Sequence, residues 1–261
     1  MTELAGKVVW ITGASGGIGE ALATVASQRG GKLVLSARRS AELDRVRKAC
    51  ANPDQVAVMP LDLTAFDPNE AAKAAASHFG PVDVLVNNAG MSQRSLVRDS
   101  TMDVYRHLFE LDFFAPVALT KAVLDGMIER RSGHIVVISS VVGYIGTPLR
   151  SGYAAAKHAL HGFFDAARAE LWRDGLKFTL ACPGFIKTEV SINAITATGG
   201  SFGKLDPTIA RGMEPKRCAE KIWRAVERDA EEVFVGKESA LIYIKRWIPA
   251  LASFAVKRAK F

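Results

Sequence analysis

The sequence predicts an α/β domain built on a parallel sheet, and three observations predict it. Short β-branched apolar runs recur along the chain, amphipathic segments separate them, and no linker, repeat or low-complexity tract breaks the alternation. Seven runs read as strands: VVWIT (8–12), KLVLSA (32–37), QVAVMP (55–60), VDVLVNN (82–88), GHIVVISS (133–140), LKFTLAC (176–182) and EVFVG (232–236). They are nearly continuous in apolar residues, as strands buried on both faces require. GEALATVASQRG (19–30), EAAKAAASHFG (70–80) and YAAAKHALHGFFDAARAELWRDG (153–175) are examples of the intervening segments with helical periodicity. At least six such helices are expected. The 261 residues suit one continuous domain, 1–261.

Two stretches depart from the pattern. Residues 187–213, KTEVSINAITATGGSFGKLDPTIARGM, are rich in Gly, Ser and Thr and weakly periodic, and a loop of that length is usually functional or mobile. Residues 241–261 form a basic amphipathic tail. It carries Lys245, Arg246, Lys257, Arg258 and Lys260 but no acid, together with Tyr243, Trp247, Ile248, Leu251 and Phe254. Such a segment lies in a membrane interface, or packs over a pocket or a partner subunit. Pro249 is expected to kink it.

Composition narrows the classes. Hydrophobic residues make up 49% and charged residues 23%, ordinary for a globular protein. The net charge is +7, but the basic residues are scattered, which argues against nucleic acid as a partner. Cys50, Cys182 and Cys218 are odd in number, far apart and without C-x-x-C spacing. That speaks against a disulfide framework or a structural zinc site, and no metal is expected. The N-terminus shows no secretory signal, and no apolar run approaches the roughly 20 residues needed to span a bilayer. The expected compartment is cytoplasmic, with peripheral membrane contact through the tail.

The first strand runs into TGASGGIG (12–19). Its glycines permit a tight strand-to-helix turn and close backbone approach to a pyrophosphate at the helix N-terminus. Gly13, Ser15, Gly17, Ile18 and Gly19 are the expected contacts. The second strand ends in Ala37, Arg38 and Arg39, where an NAD site usually places an acid for the ribose 2′-hydroxyl. Two arginines suit a 2′-phosphate instead, so NADP(H) is the expected cofactor, with Arg38 as the leading contact and Arg39 beside it. Asp62 and Leu63 follow the third strand, within reach of an adenine. Asn88, Ala89 and Gly90 follow the fourth, where open α/β sheets bind ligands. NNAG also reads as a turn that simply stabilises the sheet.

YAAAK (153–157) places a phenol and an ammonium at i and i+4 of an alanine helix, on one face. A cation beside a phenol favours the phenolate and lowers its pKa from about 10, which is one way to make a general acid/base. Taken alone, the pair also fits a plain surface helix. Jointly, however, TGASGGIG, NNAG, Ser140 and YAAAK resemble the short-chain dehydrogenase/reductase family, in the right order from residue 6 to about 237.

That resemblance implies a Rossmann-type doubly wound sheet of order 3-2-1-4-5-6-7. It implies that Tyr153 exchanges a proton with the substrate oxygen. Lys157 bonds the nicotinamide ribose and lowers the tyrosine pKa, and Ser140 orients the substrate oxygen. PGFIKT (183–188) matches the stretch beside the nicotinamide, with Pro183, Gly184, Ile186 and Thr188 the contacts. Ser139 is read as structural. The family's usual fourth member is an asparagine that supports a water near the lysine; the matching register here carries Asp112. Its charge either stabilises the ammonium or raises the tyrosine pKa.

GMSQRS (90–95), GHIVVISS, PLRSGYAAAKHAL and SINAITATGG look closest to the branch containing 11-beta-hydroxysteroid dehydrogenase and dehydrogenase/reductase members 7 and 7B. The branch implies a lipophilic carbonyl substrate such as a steroid, retinoid or xenobiotic ketone. The family implies a homodimer or homotetramer, joined through helices at 103–131 and 152–174. Loops 91–98, 143–151 and 187–213 are expected to set the substrate, with Met91, Tyr144, Phe185 and Phe202 as an apolar wall. Two alternatives stay open: a catalytically weak dinucleotide-binding scaffold or sensor, and a family epimerase or dehydratase.

Overall fold

The computed structural model of the chain describes residues 2–258; Lys260 of the tail lies outside them. Seven strands, β1 (Val8–Thr12), β2 (Lys32–Ala37), β3 (Val56–Pro60), β4 (Val84–Asn87), β5 (Gly133–Ile138), β6 (Leu176–Pro183) and β7 (Glu232–Val235), form one sheet. Its order is β3-β2-β1-β4-β5-β6-β7, with every pair parallel. Between them run α1 (Gly17–Gln28), α2 (Ser40–Ala49), α3 (Pro68–Phe79), α4 (Met102–Phe109), α5 (Ala115–Glu129), α6 (Ser151–Leu171), α7 (Pro207–Ala210) and α8 (Pro215–Glu227). Two tail helices follow, α9 (Ala240–Trp247) and α10 (Pro249–Arg258), broken at Pro249 as a proline lacking its amide hydrogen requires.

Alternation along each strand builds two cores. Val9, Ile11, Leu33 and Leu35 face α1, α2 and α8, where Leu22, Leu43, Ile222 and Trp223 complete one layer. Val8, Trp10, Val34, Ile135 and Val137 face α3, α5 and α6, where Ala75, Leu119, Met127, Leu160 and Phe164 complete the other. Trp223 is fully buried and its indole nitrogen donates to the Leu22 carbonyl at 3.0 Å, tying α8 to α1.

Three strands end earlier than their apolar runs, and two of these stops have a side-chain cause. Asn88 leaves the sheet because its amide nitrogen turns back onto the Thr12 and Gly13 carbonyls at 2.9 and 3.1 Å. Ser140 leaves because its hydroxyl accepts from the Val142 amide at 3.3 Å and so caps a short 3₁₀ turn, Val141–Gly143.

Candidate active site

The chain reverses direction across the sheet between β1 and β4, and open α/β sheets leave a crevice at that point. Here it is a cleft of about 1460 Å³ along the carboxyl ends of the strands. It collects nearly every residue singled out from the sequence. Gly13, Ser15, Gly17 and Ile18 line it from the first turn, and Arg38, Arg39, Asp62 and Leu63 from the ends of β2 and β3. Asn88, Ala89 and Gly90 line it from β4, Ser140, Tyr153 and Lys157 from β5 and α6, and Pro183, Gly184, Ile186 and Thr188 from β6. Asp112 also reaches it.

Gly19 does not line the cleft. A Cβ there would overlap the Gly13 carbonyl oxygen and stand 2.9 Å from its carbon, so this glycine brings α1 against the turn rather than against a ligand. Gly13 and Gly17 have φ of +64° and +58°, the left-handed region that glycine enters without strain. A Cβ on Gly13 would meet Ala89 Cα at 2.7 Å. Helix α1 starts without a side-chain cap, which leaves its first-turn amides for an anion.

Several of these residues are already engaged. The Asn88 side chain braces the glycine turn, which favours the stabilising-turn reading of NNAG for that residue. Asp62 accepts from the Thr64 amide and hydroxyl at 3.0 and 2.7 Å, and these bonds hold its carboxyl below the usual range. Arg39 reaches Ser15 at 3.5 Å. Sequence reasoning missed Arg45 on α2, which also lines the cleft and is held by Glu20 and Glu42. The signal was the run RRSAELDRVRK, whose third arginine lies two helical turns beyond Arg38.

Asp112 owes its position to a π-helical turn, Glu110–Phe114, between α4 and α5. Such a turn adds one residue to the helix and rotates the side chains beyond it, often at a functional site. Here it points a carboxylate inward at 0% exposure. Asp112 Oδ1 accepts from the Met91 amide at 3.1 Å and faces Lys157 Nζ at 3.3 Å. A Cβ on Gly90 would overlap that carboxylate, so only glycine lets the two segments meet. Lys157, 4% exposed, also donates to the Ile138 carbonyl at 3.1 Å. Burial pushes the Asp112 carboxyl up, against the pull of Lys157 and the Met91 amide.

Tyr153 stands with its ring centroid 5.7 Å from Lys157 Nζ. Its phenol pKa is raised, not lowered as the Tyr–Lys spacing and the resemblance implied. Burial is the largest cause; Lys157 and the Ser140 hydroxyl pull the other way, and Asp112 opposes them. The phenol is therefore firmly protonated. The adjacent Ser139 is buried and its hydroxyl pairs with His161 Nε2 at 2.8 Å, in keeping with a structural role. Burial holds His161 neutral, with a pKa pushed down to about 4.

Of the expected apolar wall, Met91 alone is among the cleft-lining residues. Tyr144 turns away, its hydroxyl on Glu232 and its ring on His161 and Phe234. Phe202 packs by Arg94, 6.0 Å from the guanidinium carbon. Leu111, Ile192, Ile195, Leu205 and Ile209 supply apolar lining instead, most of them from the 187–213 loop.

A glycine turn at the reversal point of a seven-stranded parallel sheet, with serine, tyrosine and lysine converging at the same edge, defines a Rossmann-type dehydrogenase. Residues 7–198 match the family described as short chain dehydrogenase, and the chain belongs to it. It is 43% identical to the human dehydrogenase/reductase SDR family member 7, over 96% of this chain and 76% of that protein. It is 41% identical to the mouse member 7B, over 95% and 79%. A short-chain dehydrogenase from Streptomyces avermitilis superposes with a TM-score of 0.81 at 28% identity, covering 96% of each chain. A short-chain dehydrogenase/reductase from Burkholderia phymatum, solved in complex with NAD, shares the fold with a TM-score of 0.85 at 22% identity, again over 96% of each chain.

Proposed function

We propose that this chain is an NADP(H)-dependent oxidoreductase that reduces a lipophilic ketone or aldehyde to an alcohol, or runs the reverse. The observation that carries the reading is the convergence of Ser140, Tyr153 and Lys157 on the cleft that the glycine turn opens. The turn fits a dinucleotide: two left-handed glycines and an uncapped helix start leave room and donors for a pyrophosphate. Arg38 and Arg39 are exposed at the end of β2, suited to a 2′-phosphate. Lys157 and Tyr153 would hold the nicotinamide ribose, and Ile186 and Thr188 its carboxamide side.

The bound cofactor supplies or accepts the hydride. The chain's own residues handle the proton and the geometry. Ser140 donates a hydrogen bond to the carbonyl oxygen and fixes its direction. Tyr153, half-buried at the cleft wall and protonated at neutral pH as a phenol with a raised pKa must be, gives that oxygen its proton as negative charge develops. Lys157 presents a fixed positive charge beneath the ring, oriented by Ile138 and Asp112. The Ile192, Ile195, Leu205 and Ile209 side chains give the cleft an apolar wall, which favours a lipophilic substrate.

The test is NADPH consumption by the purified protein over lipophilic ketones, aldehydes and quinones. Tyr153→Phe is expected to lower turnover by about a thousandfold and Ser140→Ala by about a hundredfold. Turnover by Tyr153→Phe at the wild-type rate would end the reading. Arg38→Leu is expected to weaken NADPH about tenfold and leave NADH nearly unchanged. The buried Asp112–Lys157 pair favours one second reading, a weakly catalytic dinucleotide-binding sensor; NADPH binding without any consumption is its signature. Product analysis separates reduction from epimerisation or dehydration. We further infer a homodimer or homotetramer joined through the helices at 103–131 and 152–174, on which Phe114 stays half exposed. The compartment we favour is the cytoplasm, with the tail touching membrane.

A further inference from the structure

Helix α6 carries both Tyr153 and Lys157, yet it begins without a cap of its own: Arg150 precedes it with no side-chain capping bond. The acceptor comes from 59 residues back in the chain. Gln93, 0% exposed, takes the Gly152 amide on Oε1 at 2.7 Å and the Tyr153 amide on the same oxygen at 3.4 Å. Its Nε2 donates to the Ser95 and Ser100 hydroxyls at 3.0 and 3.1 Å. Two backbone donors on one side and two hydroxyls on the other fix which end is oxygen.

The residues flanking Gln93 hold the cleft-lining loop. The Ser92 carbonyl accepts from the Ile195 amide at 2.9 Å, and the Arg94 amide donates to the Ile195 carbonyl at 2.9 Å. The Arg94 guanidinium, itself buried, pairs with Asp206 further along the loop. Arg150, the residue immediately before α6, approaches the same carboxylate at 3.6 Å. Leu149 before it adopts φ +66° and its carbonyl accepts from the Ser95 amide at 3.1 Å. Three consecutive residues therefore touch the loop on both sides and the first turn of α6 in between.

We propose that Ser92–Gln93–Arg94 is a positioning hub, in which Gln93 seats the first turn of α6 and the docked 187–213 loop keeps Gln93 in place. Tyr153 is set by the hub through its own backbone amide, whereas Lys157 sits one turn deeper with its own anchors at Ile138 and Asp112. Loosening the hub shifts the phenol relative to Ser140 and leaves the glycine turn untouched. The loop thus does two jobs: it walls the cleft, and it completes the seat of the proton donor. A loop held open by an ill-fitting ligand leaves that seat incomplete, which ties turnover to ligand shape.

The consequence for turnover rests on the proposed reductase reading; the mechanical coupling does not, and the experiment reads the two separately. Amide hydrogen exchange is followed in the full-length protein for residues 150–156 and 190–206, and NADPH-dependent reduction of menadione is measured alongside. Gln93→Met, which keeps length but removes acceptor and donor, is expected to speed exchange at Gly152 and Tyr153 about tenfold or more. It is expected to lower kcat about thirtyfold with KM for menadione and Kd for NADPH within about threefold. Gln93→Glu keeps the acceptor, since the Ser95 hydroxyl can turn from Ser100 onto its second oxygen while Ser100 stays on the Leu96 carbonyl, and is expected to restore kcat to within about threefold of wild type. Asp206→Asn, which touches neither Gly152 nor Tyr153, is expected to speed exchange at both.

Unchanged exchange in Asp206→Asn would overturn the coupling. Wild-type kcat in a folded Gln93→Met would overturn the positioning role. A parallel fall in kcat, NADPH affinity and melting temperature that Gln93→Glu does not rescue would reduce Gln93 to a general packing residue, overturning it equally. If Gln93→Met does not fold, Gln93→Glu and Asp206→Asn still decide. If the wild type does not reduce menadione, the reductase reading is what suffers, and the exchange data still judge the hub.

Discussion

Asp112, Lys157 and Tyr153 form a chain of three charges or near-charges in which each sets the next. The Asp112 carboxylate, 3.3 Å from Lys157, opposes the pull of that ammonium on the phenol and so raises the phenol pKa. The proposed reduction needs the protonated phenol, so its rate is expected to hold as pH rises and to fall only as the pH passes through the phenol pKa. Asp112→Asn removes one raising cause. The alkaline limb of the kcat/KM profile for reduction is then expected to move to lower pH, and the onset of alcohol oxidation to move with it. A limb that stays in place would mean that the Asp112 charge does not reach the phenol.

The same pair makes a stability prediction. Lys157→Met leaves a carboxylate of 0% exposure without its counter-charge, at a cost of about 3–5 kcal/mol at neutral pH. Asp112 already has a raised folded-state pKa, and losing Lys157 raises it more. Stability of the variant is therefore highest at acid pH, where the carboxyl is protonated, and is lost as pH rises toward its folded pKa. Urea midpoints across pH should show the deficit shrinking as the pH is lowered.

At the level of elements, α1 and α8 act as one clamp behind the glycine turn. Trp223 fills the space between them and bonds the Leu22 carbonyl. Trp223→Ala is expected to cost about 4 kcal/mol, read as a lower denaturant midpoint, with cofactor affinity nearly unchanged once folded because no atom of the cleft is removed. A large loss of NADPH affinity in the folded variant would show that α1 depends on α8 for its position. The strands of the sheet were legible because β-branched runs of four to eight residues have few other homes, and the glycine turn because its spacing has a steric cause at Gly13, Gly17 and Gly19. The π-turn at Glu110–Phe114 was not legible: its residues are ordinary helix formers, and only the tertiary pull of Met91 and Lys157 on Asp112 explains the extra residue. Gln93 was hidden for a related reason. It caps a helix that starts 58 residues later, and a capping bond of that sequence separation leaves no local pattern. The apolar wall differs from expectation because aromatic type alone does not mark a cleft: Tyr144 is claimed by Glu232 and His161 on the far side of β5.

Over the whole molecule, five of the eleven exposed large apolar side chains among the described residues belong to the tail. Tyr243, Trp247, Ile248, Leu251 and Phe254 are all about half exposed or more, with Trp247 at 78%, and all belong to α9, α10 or the break between them. Lys245 and Arg246 occupy the last turn of α9 and Lys257 and Arg258 that of α10. The base of this tail is fixed to the body, since Tyr243 packs on Phe234 and Lys245 donates to the Tyr144 carbonyl. Among the described residues no helix is long and apolar enough to cross a membrane. A fixed base with a greasy, basic outer surface instead suits an anionic bilayer interface, in which the rings sit at headgroup depth and the cations meet phosphates. Each large apolar side chain contributes about 1.5–3 kcal/mol when buried, and each basic residue near the surface about 1 kcal/mol. The triple variant Trp247→Ser, Leu251→Ser, Phe254→Ser spares Tyr243 and Lys245 and so leaves the base in place. It is expected to lower co-sedimentation with phosphatidylserine vesicles more than tenfold, while raised salt weakens the wild type only partly because the apolar share is not screened. Equal sedimentation of the two proteins would remove the membrane from consideration. The same surface would then suit a second copy of the chain, and a concentration-dependent change in sedimentation coefficient, absent from the triple variant, is the result that would establish it.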